Sequence, residues 1–101
     1  MKKQFVIALN STTEEQEKMF LEYIKSNGFG WWHWIDNFWL VVDTQDKLSA
    51  EKLRDDLENI FPKVRKLVIE IFSESSTWAG YGPNGEQRNM FNWLHNTWKE
   101  G

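Results

Sequence analysis

Length, composition and charge exclude several classes of protein at the outset. The chain has 101 residues, of which 41% are hydrophobic and 27% are charged, so it fits one domain, because two halves would each bury too little surface. A net charge of −3 with no basic stripe argues against a binder of duplex nucleic acid. The absence of cysteine removes disulfides and thiolate metal sites.

Targeting signals are absent from the sequence pattern. No apolar run approaches the roughly 18 residues that a membrane span requires, and the N-terminal residues lead directly into a strand-like run without the apolar core of a signal peptide. We therefore expect a soluble protein of the cytoplasm, where a chain without disulfides is common.

The first half of the chain predicts a strand, a helix and a hairpin. Residues 5–10 are apolar on both faces, which is typical of a central strand. Residues 11–16 carry a capping-box pattern that begins a helix, and Gly28 ends it. Residues 31–35 and 38–43 are aromatic and β-branched runs, and the two residues between them favour a tight hairpin.

The second half predicts a helix and a strand. Ser49 is a natural N-cap and Pro62 a helix stop, and residues 64–72 read as a strand. The order β-α-β-β-α-β predicts an α+β, ferredoxin-like fold, with two helices on one face of a four-stranded antiparallel sheet. Residues 1–72 form this core. Residues 73–101 add a loop and a C-terminal helix that pack on the core or on a dimer partner, within one domain overall.

Strand alternation predicts which side chains share a face of the sheet. We expect the helix side to carry three sets of residues: Phe5, Ile7 and Leu9; Leu67, Ile69 and Ile71; and Phe38, Leu40 and Val42. The other face, called here the second face, then carries Val6, Ala8, Trp39, Val41, Val68, Glu70 and Phe72. A regular hairpin places Trp34 opposite Trp39, and Trp32 opposite Val41. Such an apolar face requires cover by the C-terminal helix, a second copy of the chain or a ligand.

Seven tryptophans make aromatic residues the main candidates for a binding surface. An open face with these rings would stack the bases of a single-stranded nucleic acid. We favour instead a face covered by Phe91, Leu94 and Trp98 or by a second subunit. The candidate binding residues are Trp32, Trp34, Trp39, Trp78, Tyr81, Trp93 and Trp98.

No pattern in the sequence amounts to a catalytic, cofactor or metal site. The G-x-G-x-x-G string at residues 80–85 lacks the strand–helix setting of a dinucleotide site, and no spacing pairs His33 with His95. Asn10 and Asp43 should lie at opposite ends of the sheet, and Asp36 in the hairpin turn, which weakens any shared metal site. We predict no catalytic residue, no cofactor and no bound metal.

Six runs of residues resemble a group of short bacterial and phage proteins related to the small subunit of the CRISPR spacer integrase. The runs are residues 5–10, 30–41, 49–57, 67–71, 78–82 and 93–94. The resemblance implies a ferredoxin-like homodimer, in which the segment after the fourth strand completes the partner's sheet. It also implies that nuclease members bind metal through an Asp at the end of the first strand. Here that position is Asn10, which argues against nuclease activity.

These observations lead to one expectation and two alternatives. We expect a non-enzymatic, homodimeric protein that binds a macromolecule, a protein more than a nucleic acid, as an inhibitor or regulator from a phage or mobile element. The first alternative is a single-stranded nucleic-acid binder that uses a tryptophan-rich sheet face. The second is a metal-dependent nuclease like the CRISPR integrase small subunit.

Overall fold

A computed structural model describes residues 2–72, 82, 90–94 and 98, and the structural statements below concern these residues. Their elements are β1 (Lys3–Leu9), α1 (Glu14–Asn27), β2 (Gly30–Ile35), β3 (Phe38–Asp43), α2 (Ala50–Ile60), β4 (Lys66–Ile71) and α3 (Met90–Trp93). The predicted order of the first six elements is confirmed, and it is that of a ferredoxin-like α+β fold. Of the C-terminal helix predicted within residues 73–101, the structure describes α3 and the helical residues Leu94 and Trp98.

The sheet has four antiparallel strands in the order β2-β3-β1-β4. β1 is central, as its two apolar faces predict, with β3 on one side and β4 on the other. This order leaves β2 and β4 at the edges of the described sheet. None of the helices in the described ranges is long and apolar enough to cross a membrane.

Local sequence signals determine where the two long helices begin and end. Thr13 caps α1 in a complete capping box with Gln16, and Ser49 caps α2 by accepting a hydrogen bond from Lys52 N–H. α1 ends at Gly28, whose φ of 74° lies in the left-handed region. A Cβ at this position would lie 3.0 Å from the Gln45 side chain, so both conformation and space favour glycine.

The main core lies between the sheet and the two helices. Phe20 and Ile24 from α1 and Leu53 and Leu57 from α2 are fully buried in it. The sheet contributes Phe5, Ile7, Leu9, Trp39 and Val41 to the same cluster. The two helices therefore pack on one face of the sheet, as predicted.

The predicted register of the β2–β3 hairpin is wrong by one residue. Ile35 pairs with Phe38 as expected, but Trp32 pairs with Leu40 and Trp31 with Val41. Two residues of β2 therefore lie opposite Trp39 alone, which is the arrangement of a β-bulge. Because side chains alternate between faces, this one extra residue moves Trp32 to the opposite face from that of Val41.

The predicted faces of β3 and β4 are also reversed. Ile7, on the helix side, pairs with Trp39 and Val68, and directly paired residues share a face. Val41 likewise pairs with Phe5. The second face consequently carries Phe38, Leu40 and Val42 from β3 and Leu67, Ile69 and Ile71 from β4. Both faces of β3 are largely apolar, so alternation alone does not fix its phase. In β4 polar and apolar residues do alternate, but its pairing with β1 and the ion pair between Lys66 and Glu58 hold the polar residues on the helix side.

Candidate interaction surface

One half of the second face is covered by residues near the C-terminus, and we call it the covered half. Leu94 and Trp98 are buried there against Trp32, Leu40 and Val42, with Trp93 packed beside them. The carbonyl oxygen of Trp98 accepts hydrogen bonds from Lys2 Nζ, at 3.0 Å, and from Gln4 Nε2. The C-terminal residues are thus attached to β1 as well as to the aromatic side of the sheet.

The other half of the second face is exposed, and we call Ala8, Leu67 and Ile69 the exposed strip. Leu67 is 59% exposed and Ile69 45% exposed. Ala8 pairs directly with Leu67 across β1 and β4 and is also exposed. Phe72, which directly follows β4, is 82% exposed. An apolar surface of this kind on a small domain is typical of an interaction site.

The orientation of β4 is the reverse of what its polar residues suggest. Lys66 and Glu70 pair with Leu9 and Phe5, so both lie on the helix side. Leu67 and Ile69 point to the second face, where they form the exposed strip with Ala8, whereas Val68 packs on the helix side. A strand that places its apolar residues toward solvent breaks the usual pattern, and such violations concentrate at functional sites.

Lys66 is held on the helix side by a specific ion pair. Its Nζ lies 2.5 Å from Glu58 Oε1 of α2 and 2.7 Å from the carbonyl oxygen of Val64. The hydrogen bond from Lys66 lowers the pKa of the Glu58 carboxyl below its usual value, and the backbone N–H of Lys63 acts in the same direction. This pair fixes the start of β4 against α2, and with it the outward direction of Leu67.

Shallow cavities flank the beginning of β4 on both sides. A cavity of about 310 Å³ is lined by Ala8, Leu9, Asn10, Arg65, Lys66 and Leu67. A second, of about 240 Å³, is lined by Ala50, Glu51, Arg54, Lys66, Leu67 and Val68. The edge strand is therefore accessible both from the second face and from the side of α2.

The predicted aromatic residues do not form one surface. Trp39 is fully buried on the helix side, whereas Trp32 is buried in the covered half, on the opposite face. Trp34 is 37% exposed. Trp93 and Trp98 pack together with ring centroids 6.0 Å apart, while Trp78 and Tyr81 lie outside the described residues. Trp32, Trp34 and Trp39 are therefore not arranged as a continuous stacking platform.

His33 occupies a structural position that sequence reasoning did not identify. Its ring stacks on Trp39 with centroids 3.7 Å apart and planes 2° apart. Nδ1 lies 2.9 Å from the carbonyl oxygen of Phe38, and Nε2 lies 2.8 Å from Glu17 Oε1. His33 thus joins β2, β3 and α1 at the bulge. No local pattern indicates this role, because Glu17 is distant in sequence; His95 lies outside the described residues.

Asn10 connects the end of β1 to the start of β4. Its backbone N–H donates to the carbonyl oxygen of Arg65 at 3.1 Å, and its side-chain Oδ1 accepts from the backbone N–H of Arg65 at 3.0 Å. The amide side chain thereby extends the β1–β4 ladder by one pair. This contact gives Asn10 a structural role beside the exposed strip.

Asp43 lies at the opposite end of the sheet from Asn10, as predicted, since it pairs with Lys3 at the start of β1. It is fully buried. Its carboxylate accepts backbone hydrogen bonds from Gln45, Lys47 and Leu48 at 2.7–2.9 Å, which orders the turn before α2. Within the described part of the chain, no group of three or more His, Asp or Glu side chains could hold a metal ion.

Comparisons with protein-family models, with curated proteins and with solved structures found no match to this chain. The class of the protein is therefore defined by its ferredoxin-like α+β fold, with one partly exposed sheet face. Because one fold serves many functions, a function must be argued from the surface itself.

Proposed function

We propose that the protein is a non-enzymatic, homodimeric module that binds another protein through the exposed strip. One observation carries the proposal: the chain covers one half of its second face with Leu94 and Trp98 but leaves Leu67 and Ile69 largely exposed. Burial of apolar surface contributes about 25 cal/mol per Å². An uncovered aliphatic strip beside a covered one is thus favourable to bury in an interface.

The chemistry of the strip favours a protein partner over a nucleic acid. Ala8, Leu67 and Ile69 offer aliphatic contact but no ring on which a base could stack. The net charge of −3 also gives no general attraction to a phosphate backbone. From the resemblance alone, we further propose that the protein acts in the cytoplasm as an inhibitor or regulator from a phage or mobile element.

Sedimentation equilibrium at micromolar concentration tests the dimer. We expect a species of twice 12.1 kDa for the wild type, and dissociation for Ile69→Asp, because a carboxylate placed against the apolar residues of the second copy is unfavourable. Met19→Asp is the matched control, since Met19 is a 49% exposed apolar residue on α1. A wild type that sediments only as a 12.1 kDa species would refute the homodimer.

Oligonucleotide titration tests the choice of partner. We expect single-stranded DNA or RNA to leave the tryptophan fluorescence unchanged, because Trp32 and Trp39 are buried on opposite faces of the sheet. Salt-sensitive quenching, lost in Trp34→Ala, would instead assign the protein to the single-stranded nucleic-acid binders.

A further inference from the structure

β4 is an edge strand whose outer side has no strand neighbour among the described residues. Successive residues of an antiparallel strand direct their backbone N–H and C=O groups alternately to the two sides. The bond from Asn10 N–H to the Arg65 carbonyl oxygen assigns the odd-numbered residues to β1. Lys66, Val68 and Glu70 therefore direct their backbone groups outward, where an additional strand could pair with them.

We propose that the outer edge of β4 pairs with β4 of a second copy, antiparallel and in register about Val68. This inference rests on the proposed homodimer and specifies its interface. A two-fold axis at Val68 pairs Val68 with the partner's Val68, Lys66 with the partner's Glu70, and Leu67 with the partner's Ile69. Two copies of one strand can bond in this way because a two-fold interface uses the same surface twice.

The residues of β4 are complementary to themselves in this register. The outward-directed pairs meet as hydrogen-bonded pairs, and each Glu70 lies opposite the partner's Lys66 instead of a like charge, while the ammonium group of Lys66 is also paired with Glu58 of its own subunit. The exposed residues Leu67 and Ile69 meet as non-hydrogen-bonded pairs, in which side chains approach most closely. Local charge and apolar contact therefore favour the same alignment.

Neighbouring registers are less favourable. A shift of one residue places outward-directed backbone groups opposite residues whose groups are bonded to β1, so no ladder forms. A shift of two residues, which moves the axis to Leu67 or Ile69, places Val68 opposite a charged residue. In each of these two registers neither Lys66 nor Glu70 faces an opposite charge. The axis at Val68 is the one that satisfies both requirements.

Pairing of this kind joins the two four-stranded sheets into one continuous sheet. The exposed strip of each copy then lies beside that of its partner, on the same face and across the two-fold axis. The dimer thus presents a single apolar surface about twice the length of one strip. The surface proposed to bind another protein therefore lies at the centre of the dimer.

Disulfide cross-linking tests the register, and the chain has no cysteine of its own. The double variant Leu67→Cys/Ile69→Cys places cysteines in a non-hydrogen-bonded pair, about 4.5 Å apart between Cα atoms, which a disulfide spans. In either single variant the two cysteines are diagonal, at about 7–8 Å, near or beyond the limit of about 7 Å for bridging. We expect mild oxidation to yield at least about tenfold more covalent dimer from the double variant than from either single variant.

The outcomes separate this inference from the proposed function. Efficient cross-linking in the double variant, with little in the single variants, supports the register about Val68. A wild type that sediments as a dimer while double and single variants cross-link equally would overturn the register and leave the homodimer intact. A wild type that sediments only as a monomer would overturn both.

Discussion

Trp39 combines complete burial with an indole N–H that has no hydrogen-bond partner among the described residues. Its ring packs edge-on against Phe20, with centroids 4.7 Å apart, and stacks on His33. We expect Trp39→Ala to lower the free energy of unfolding by about 3–5 kcal/mol, the usual cost of emptying an aromatic core site. Trp39→Phe should cost less, because it keeps a ring and removes the unpaired N–H. Chemical denaturation measures both.

Trp34→Ala is the matched control for Trp39→Ala, because Trp34 lies in the same hairpin but is 37% exposed. Its loss of stability should be smaller, since exposed side chains contribute less burial. Equal losses at the two positions would contradict the helix-side position of Trp39 and point back to the register predicted from a regular hairpin.

At the scale of the elements, local sequence signals predicted the order of the helices and strands and the positions of the helix caps. They did not predict which face of the sheet the side chains of each strand occupy. Thr13, Ser49 and Gly28 mark the helix boundaries through contacts a few residues away, so sequence reasoning located them. The bulge at His33 depends on a hydrogen bond to Glu17 of α1 and on stacking with Trp39. Neither contact is visible in strand periodicity, and the bulge changed the cross-strand partner of Trp32 from the predicted Val41 to Leu40.

A hydrogen bond from Tyr23 to Asp56 couples the two long helices. The phenol of Tyr23 donates to Asp56 Oδ2 at 2.6 Å. Partial burial raises the pKa of Tyr23 above its usual value, and the bond to Asp56 raises it further. We expect Tyr23→Phe to cost about 1.5–3 kcal/mol at pH 8, the range for hydrogen bonds to charged groups. Urea denaturation measures this loss.

The same contact predicts the response to alkali. The pKa of Tyr23 is higher in the folded state than in the unfolded state. The contribution of the Tyr23–Asp56 hydrogen bond to the free energy of unfolding is therefore complete below the unfolded pKa of about 10. It is lost as the pH rises above that value, so the wild type should lose stability faster than Tyr23→Phe at alkaline pH. Asp56→Asn, which keeps an acceptor oxygen, should cost less than Tyr23→Phe at pH 8. If the free energy of unfolding of the wild type and of Tyr23→Phe changed equally with pH, the proposed link between the raised pKa of Tyr23 and stability would be contradicted.

At the scale of the whole molecule, the exposed strip could not be predicted from the sequence of β4. Alternation of Lys66 and Glu70 with apolar residues predicts that Leu67 and Ile69 face the helices. The pairing with β1 places them on the opposite face, and the ion pair between Lys66 and Glu58 holds the strand that way. The long-range contacts that decide this orientation also leave an apolar surface exposed, which is why the candidate site and the wrong prediction coincide.

The covered half and the exposed strip should be energetically separable. Trp98 is buried against Trp32, Leu40 and Val42 of β2 and β3, and this cluster meets β4 at Ile71, at the other end of the strand from Leu67. We therefore expect Trp98→Ala to lower the free energy of unfolding by about 3–5 kcal/mol. It should also shift tryptophan emission to longer wavelength, as Trp32 gains contact with water.

The same variant should leave the dimerisation constant unchanged when sedimentation is measured under conditions where it stays folded, because the proposed contact lies along β4. Ile69→Asp should give the converse result, a monomer with nearly the stability of the wild-type subunit, since Ile69 is already 45% exposed in one copy. If Trp98→Ala stays folded but sediments as a monomer, the covered half would instead be part of the subunit interface.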